Sequence, residues 1–356
     1  MTINRKQLLE SLKFAMPGIE SGNATLQGAD AFIFHNGNIF SYNDSVSVCV
    51  PINQSGLIDE GLEGAVKAEE FFKIVSKFTS DEINLAISQN DSWILKSGKA
   101  KAELTLMKFD FETRLKEIEP TEDWVSLNDE FIEGVSICKM INNKSPLNGI
   151  YASGNNIMST DGWQMNKYAM EKTTVPEFWI SDSSADELLK IKKFDSMQLN
   201  GNWVLFKTSE GLILSLKTLN LSQYPSEKIM KLLEVSKPKE TDFHAKFPAE
   251  LFNVIDRATS FGIDISERIA VRLVLSKEGI EVSSERASGK YSEKIVWDEK
   301  LEQDFEPITI YVDTSMMEFI AKRTMEFYLY TNTTIPRMLF VTGQSIHLMS
   351  TLDNGN

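Results

Sequence analysis

Two short helical signatures occur three times along the chain, in the same order and at intervals of about 120 residues. The first signature reads LLESL, FIEGV and LFNVI, beginning at Leu8, Phe131 and Leu251. The second reads FFKIVSK, LLKIKKF and MMEFIAK, beginning at Phe71, Leu188 and Met316. A period kept by two independent markers predicts three copies of one module, with boundaries 1–119, 120–238 and 239–356.

Each predicted module combines two short helices with antiparallel strands. Leu251, Ile255 and Ala258 recur at helical spacing on one side of a helix. Asn36-Gly37, inside Ala31–Tyr42, is the strongest short signal for a β-hairpin. The later hairpins are predicted to turn near Gly154 and Gly279. The predicted fold class is therefore α+β, with three tandem modules, antiparallel sheets outside and two helices per module.

Six segments are predicted to be helical, and two polar segments containing proline are predicted to link the modules. The helices are Asn4–Met16, Ala65–Phe78, Asn128–Lys144, Asp182–Phe194, Pro248–Phe261 and Asp313–Arg323. The linkers are Glu117–Trp124 and Val235–Asp242.

Charge is distributed unevenly over the chain, whose net charge is −14. The six helical segments together carry +1, so the remaining residues carry −15. Acids lie early and bases late in several helices, which complementarity to the helix dipole explains equally well. The alternative is that the helices share a weakly positive face within an acidic body.

The composition argues against several classes of protein. No apolar run approaches the length of a membrane helix, and the first residues contain no apolar signal core. Cys49 and Cys138 lie in different modules, which indicates free thiols in a reducing compartment, and the cytoplasm is expected. The three histidines have no zinc-ligand spacing, and no phosphate loop or nucleophile elbow is present, so we expect neither an enzyme nor a cofactor.

Segments in all three modules resemble the bacterial DNA polymerase III β sliding clamp family. Their order and spacing, together with the threefold repeat, carry the resemblance over essentially the whole chain. These segments are Val66–Met107, the Thr-Asp-Gly stretch Ser145–Met165, the aromatic-proline stretch Leu221–Met230 and Arg257–Glu285.

This resemblance implies a polymerase processivity factor without catalytic activity. Two chains would join head to tail as a homodimeric ring whose helices surround duplex DNA, without reading its sequence. A groove between the second and third modules would bind short peptides of the DNA polymerase and other partners, and a clamp loader would open the ring. A β-rich structural or assembly scaffold that does not encircle DNA is the alternative.

Three sets of residues follow from this interpretation. The DNA-facing set is Lys6, Lys13, Lys73, Lys77, Lys139, Lys144, Lys190, Lys193, Arg257, Lys322 and Arg323. The peptide-groove set is Thr160, Gly162, Trp163, Gln164, Met165, Pro225, Ile229, Met230, His347, Leu348 and Met349. The dimer-interface set is Lys99, Lys101, Ala102, Leu104, Phe261 and Ile263, with strand addition across chains.

The sequence departs from the family pattern at four places. The loop Ser21–Leu26 has no base, Trp163-Gln164 stands where His-Arg is usual, and Ala102 replaces an aromatic residue. The last apolar segment is followed by Asp353–Asn356. These departures predict a divergent clamp with an altered peptide preference, and a phage-borne clamp with its own polymerase would explain them.

Overall fold

The computed structural model describes residues 1–20, 22, 24, 26–52, 62–88, 91–139, 145–239, 242–265, 267–302, 304–331 and 335–352. The chain forms two compact units. The first unit is Met1–Glu133 with Lys172–Asn220, and the second is Gly134–Glu171 with Leu221–Asn356. Each unit contains helices and antiparallel sheets, which confirms the α+β prediction. The boundaries of the three modules stay a prediction, because compact units and sequence repeats divide the chain on different grounds.

Eight helices are found in the described part of the chain. They are α1 Arg5–Ala15, α2 Ala68–Lys77, α3 Glu112–Glu117, α4 Asp129–Cys138, α5 Asp182–Leu189, α6 Ser226–Val235, α7 Leu251–Thr259 and α8 Thr314–Ala321. All six predicted helices are present, each shorter than predicted. Asn4, Ser181 and Asp313 cap α1, α5 and α8, because their side-chain oxygens accept backbone N–H groups of the first turn. None of the described helices is long and apolar enough to cross a bilayer.

The described residues form 25 strands. They are β1 Thr2–Asn4, β2 Ala31–His35, β3 Asn38–Tyr42, β4 Val46–Pro51, β5 Gly64–Lys67, β6 Glu82–Ser88, β7 Ser92–Ser97, β8 Ala100–Thr105, β9 Val125–Ser126, β10 Ile150–Gly154, β11 Asn156–Thr160, β12 Gln164–Ala169, β13 Val175–Ile180, β14 Ser196–Asn200, β15 Trp203–Lys207, β16 Ile213–Lys217, β17 Phe243–Lys246, β18 Ile263–Ile265, β19 Arg268–Ser276, β20 Gly279–Arg286, β21 Gly289–Ile295, β22 Ile308–Asp313, β23 Glu326–Tyr330, β24 Arg337–Thr342 and β25 Ser345–Ser350.

The first unit contains an eight-stranded sheet in the order β5-β2-β3-β4-β16-β15-β14-β9 and a four-stranded sheet in the order β1-β6-β7-β8. The larger sheet joins strands from two predicted modules, because β4 pairs with β16. The predicted hairpin at Asn36-Gly37 is confirmed, and both residues have the positive φ, 50° and 70°, that its two-residue turn requires. Phe32, Phe34, Phe71 and Trp93 pack edge to face beneath α2.

In the second unit, seven strands run in the order β10-β11-β12-β25-β24-β23-β17, and β12 and β25 again join two predicted modules. A second sheet has the order β18-β19-β20-β21, with β22 also paired to β19. Helix α7 buries Leu251, Val254, Ile255 and Ala258, as its sequence spacing predicts. The core of this unit extends from α7 and α8 to Phe247, whose ring stacks on Phe327 at 3.9 Å.

Candidate functional site

The two faces of the sheet that contains β12 and β25 carry different parts of the predicted groove set. Directly opposed residues of paired strands share a face. Met165 lies opposite Leu348, and Leu348 lies opposite Leu339. We call the face that carries these three residues the far face. Met349, one position further along β25, belongs instead to the core that α7 and α8 cover.

His347 and Met349 therefore lie on the opposite face of the sheet from Met165 and Leu348. Successive strand residues point to opposite sides, and the prediction took three consecutive residues together. His347 is buried near the rings of Phe319 and Phe340. Burial first, and then the neighbouring Arg323 guanidinium, lowers the pKa of His347 to about 3.

Gln164 also faces inward, because it lies opposite Met349. Its side-chain nitrogen donates to Oδ2 of Asp161 at 3.3 Å, and the residue is buried. Its side chain is thus turned away from the far face. In contrast, Met165 is half-buried on the far face, where a ligand can reach it.

Helix α6 brings the remaining predicted groove residues to the far face. The Tyr224 ring stacks on Tyr151 of β10 with centroids 4.5 Å apart. At the other end of the helix, the Tyr330 hydroxyl of β23 donates to the Ser236 carbonyl at 2.8 Å. Between these attachments lie Pro225 and the groove residues of α6: Ile229, which is buried, and Met230, which is 37% exposed.

The Thr-Asp-Gly sequence builds a tight turn at one end of this face. Thr160 Oγ1 donates to the Gln164 carbonyl at 2.7 Å and accepts the Gly162 N–H at 3.1 Å. Oδ1 of Asp161 accepts the N–H groups of Trp163 and Gln164, both at 2.9 Å. Gly162 adopts a φ of +93°, which favours glycine. The turn fixes Trp163, which is half-buried beside it.

A buried ion triad fastens this turn to the rest of the second unit. The Arg268 guanidinium donates to Asp161 Oδ2 and to Asp313 Oδ2, both at 2.9 Å, and all three side chains are at most 7% exposed. Burial opposes the charge of Arg268, but hydrogen bonds to the two carboxylates outweigh burial and raise its pKa. The guanidinium also lies 5.9 Å from the Trp163 ring centroid. Sequence reasoning missed this triad, although Arg268, at the start of a predominantly apolar strand, was a usable signal.

Most residues of the predicted DNA-facing set are exposed. They are Lys6, Lys13, Lys73, Lys77, Lys190, Lys193, Arg257 and Lys322; Lys139 and Arg323 are half-buried, and Lys144 lies outside the described residues. Lys13, Lys73 and Lys77 make no ion pair with the described part of the chain. Lys6, Lys190, Lys193 and Lys322 pair with neighbouring acids at 3.5, 2.7, 3.9 and 3.0 Å.

The two predicted DNA-facing arginines are engaged within the protein. Arg257 donates to Glu293 at 2.9 Å and to the Tyr291 hydroxyl at 3.0 Å, both on β21. The Arg323 guanidinium lies 3.6 Å from the Phe319 ring centroid and donates to the Phe319 carbonyl. These contacts hold both side chains against the second unit, whereas Lys13, Lys73 and Lys77 make no ion pair with described residues.

The predicted dimer-interface residues lie at or near sheet edges. Strand β8 is the edge of the four-stranded sheet and carries Lys101, Ala102 and Leu104, with Lys99 in its preceding turn. In the second unit, β21 is an edge that sequence analysis did not identify as an interface. Phe261 lies against the start of β21, since a Cβ atom on Gly289 would come within 2.6 Å of its ring. Ile263 begins β18 in the same sheet.

Comparison with known proteins gives matches only at the level of structure. No protein-family model matches the sequence, and no curated protein matches it. The DNA polymerase III β chain of Streptococcus pneumoniae is 14% identical, with a TM-score of 0.80 and 99% of each chain covered. The DNA polymerase sliding clamp of Caulobacter crescentus is 15% identical, with a TM-score of 0.80 and the same coverage.

The DNA polymerase sliding clamp of Bacillus subtilis is 18% identical, with a TM-score of 0.74, covering 99% of this chain and 98% of that one. The chain therefore has the fold of the bacterial β sliding clamps over its whole described length, which confirms the predicted resemblance as a likeness of fold. The low identities leave the roles of individual residues to physical argument.

Proposed function

We propose that the chain is a DNA sliding clamp, a processivity factor that encircles duplex DNA and tethers a DNA polymerase. The observation that carries this proposal is the likeness of fold to the matched clamp of Streptococcus pneumoniae, which covers 99% of each chain. Two chains would join head to tail into the ring. The protein would have no reaction of its own, and a separate clamp loader would open it in the cytoplasm.

Charge on the helices supports a sliding rather than a gripping contact with DNA. Each phosphate that a protein neutralises adds salt-sensitive affinity, and many such contacts would slow movement. Free lysines such as Lys13, Lys73 and Lys77 offer weak attraction that does not depend on sequence, within a screening length of about 8 Å at physiological salt. The net charge of −14 keeps DNA from adhering elsewhere on the surface.

Partner docking is assigned to the far face of the sheet that contains β12 and β25, between the Trp163 turn and α6. Met165 and Met230 supply accessible apolar surface, and the Thr160–Gln164 turn supplies a rigid rim. Apolar anchors with a few fixed polar groups are the usual composition of a peptide site. Trp163 adds apolar area where related sequences usually carry histidine.

Topological retention on DNA tests the proposal. The protein is placed on nicked circular DNA, by its loader or by incubation at high protein concentration, and free protein is removed by gel filtration. We expect the protein to stay with the circle and to leave when one restriction cut makes the DNA linear. Equal loss from circular and linear DNA would refute encirclement and favour the scaffold alternative.

A further inference from the structure

Four cationic residues are gathered on the far face of the second unit, beside the proposed peptide groove. Lys167 lies on β12, Arg337 on β24, and Lys237 and Lys239 follow α6. We call these four residues the basic strip. A cavity of about 220 Å³ lies among Lys237, Lys239, Arg337, Tyr330 and Asp242. The strip is therefore a shaped surface and not a set of scattered side chains.

The charge of the basic strip is only partly balanced within the described residues. Lys237 pairs with Glu234 at 2.8 Å, but both side chains are about two-thirds exposed, where such pairs contribute little. Asp242 uses one carboxylate oxygen to accept the Lys239 N–H at 2.8 Å. Lys167 and Arg337 form no ion pair with described residues. Partial burial, and then repulsion from Lys237, lowers the pKa of Lys167, and attraction to Glu234 offsets part of that shift.

Apolar side chains lie between the cations. On β25, Leu348 stands between Ile346, which is opposite Lys167, and Ser350, which is opposite Arg337. Val341 lies opposite Ile346 and is 38% exposed, and Val235 at the end of α6 is 66% exposed. A ligand that covers this surface thus meets apolar area and positive charge within a few residues of each other.

We propose that the basic strip selects partner peptides whose apolar anchors are flanked by Asp or Glu. This inference rests on the proposed function of the far face and adds the charge of the partner to it. Carboxylates that reach Lys167, Lys237 or Arg337 would relieve the crowding of cations while their apolar neighbours cover Met165 and Val341. A nucleic-acid backbone satisfies the cations alone and leaves the exposed valines without a partner, so a peptide fits better.

The test begins with selection of random 12-residue peptides, displayed on phage, against the full-length protein. We expect the selected peptides to carry Asp or Glu next to large apolar residues. Replacing those acids by Asn and Gln should weaken binding about tenfold at low salt, as measured by fluorescence anisotropy. The double variant K167Q/R337Q should bind the acidic and the neutralised peptides alike, while K96Q/K217Q, an exposed pair in the first unit, should behave as the wild type.

Three results would overturn the inference, and they separate it from the proposed function. If neutralised peptides bind as well as acidic ones, and M165E abolishes the binding of both, the proposed groove is supported but its preference for acidic peptides is wrong. If M165E and K167Q/R337Q bind the peptides as well as the wild type does, the proposed groove is wrong as well. Retention on circular DNA tests the clamp role separately. An oligonucleotide that displaces the peptides and loses affinity for K167Q/R337Q would identify the strip as a nucleic-acid site.

Discussion

Arg268 is the residue on which the architecture of the candidate groove most depends. Its guanidinium joins Asp161, which shapes the Trp163 turn, to Asp313, which caps α8. One cation between two buried carboxylates leaves a formal charge of −1 within the triad. Such a group is strongly destabilised when a single partner is removed, although a fully apolar replacement is often tolerated.

We expect R268L to lower the free energy of unfolding by about 3–5 kcal/mol, because two buried carboxylates lose their counter-ion. Urea denaturation measures this loss. R272L, on the same strand but half-buried, is the matched control, and we expect it to change stability by less than about 1 kcal/mol. The triple variant D161N/R268L/D313N removes the charges but keeps an oxygen acceptor in the Trp163 turn and at the α8 cap. Failure of this variant to recover most of the loss would contradict the electrostatic explanation.

His347 makes stability depend on pH. The folded state holds its imidazole neutral, with a pKa of about 3, whereas an unfolded histidine binds a proton near pH 6.5. The contribution of His347 to the free energy of unfolding is therefore complete above about pH 6.5 and declines as the pH falls toward 3. Between pH 7 and pH 5, we expect wild-type protein to lose about 2 kcal/mol more unfolding free energy than H347L.

Urea titrations at the two pH values measure the difference, with H244L as a control at an exposed histidine. The same pH dependence in wild type and H347L would show that His347 does not contribute it.

Among the helices, amphipathic ones such as α7 were predictable from the sequence, whereas α6, which lies on the far face, was not. The apolar spacing of α7 predicts its buried face, and Asn36-Gly37 predicts the turn between β2 and β3. Helix α6 begins after Pro225 without a side-chain cap and lies in a segment assigned only by resemblance. The faces of β25 were also missed, because the resemblance supplied residue positions but not the alternation that separates Leu348 from Met349.

Lysines on or near the helices of the first unit allow a direct test of the DNA-facing set. We expect K13E/K73E/K77E/K193E to shorten the lifetime on nicked circular DNA at least about tenfold, because attraction to phosphates becomes repulsion. The control K96E/K116E/K172E/K217E changes net charge equally at exposed lysines of the same unit and should retain wild-type lifetime. Equal loss in both variants would show that net charge, and not these helices, governs retention.

For the whole molecule, the edge strands β8 and β21 are the candidates for joining two chains. Ser97 and Ala100 close a two-residue turn, so the alternating ladder directs the amides of Lys101 and Glu103 away from β7. The same reasoning applied to the turn between Arg286 and Gly289 leaves the amide of Ser292 free on β21. Both edges can therefore accept another strand.

We expect E103P to convert a dimer into a monomer at micromolar concentration, because proline removes one outward N–H without touching the pairing with β7. E103A keeps the amide and should remain dimeric. Light scattering coupled to size exclusion measures both masses. A wild-type monomer under the same conditions would count against a stable closed ring, and a dimeric E103P would place the joint elsewhere.

The central position of β25 has a consequence for biosynthesis. Residues 345–350 fill the gap between β12 and β24, which lie about 180 and 10 residues earlier in the chain. Until the ribosome has released residue 350, β12 and β24 both expose unpaired edges that invite pairing with other nascent chains. A stop codon before Ser345 would thus leave the first unit able to form but expose the second to aggregation or proteolysis.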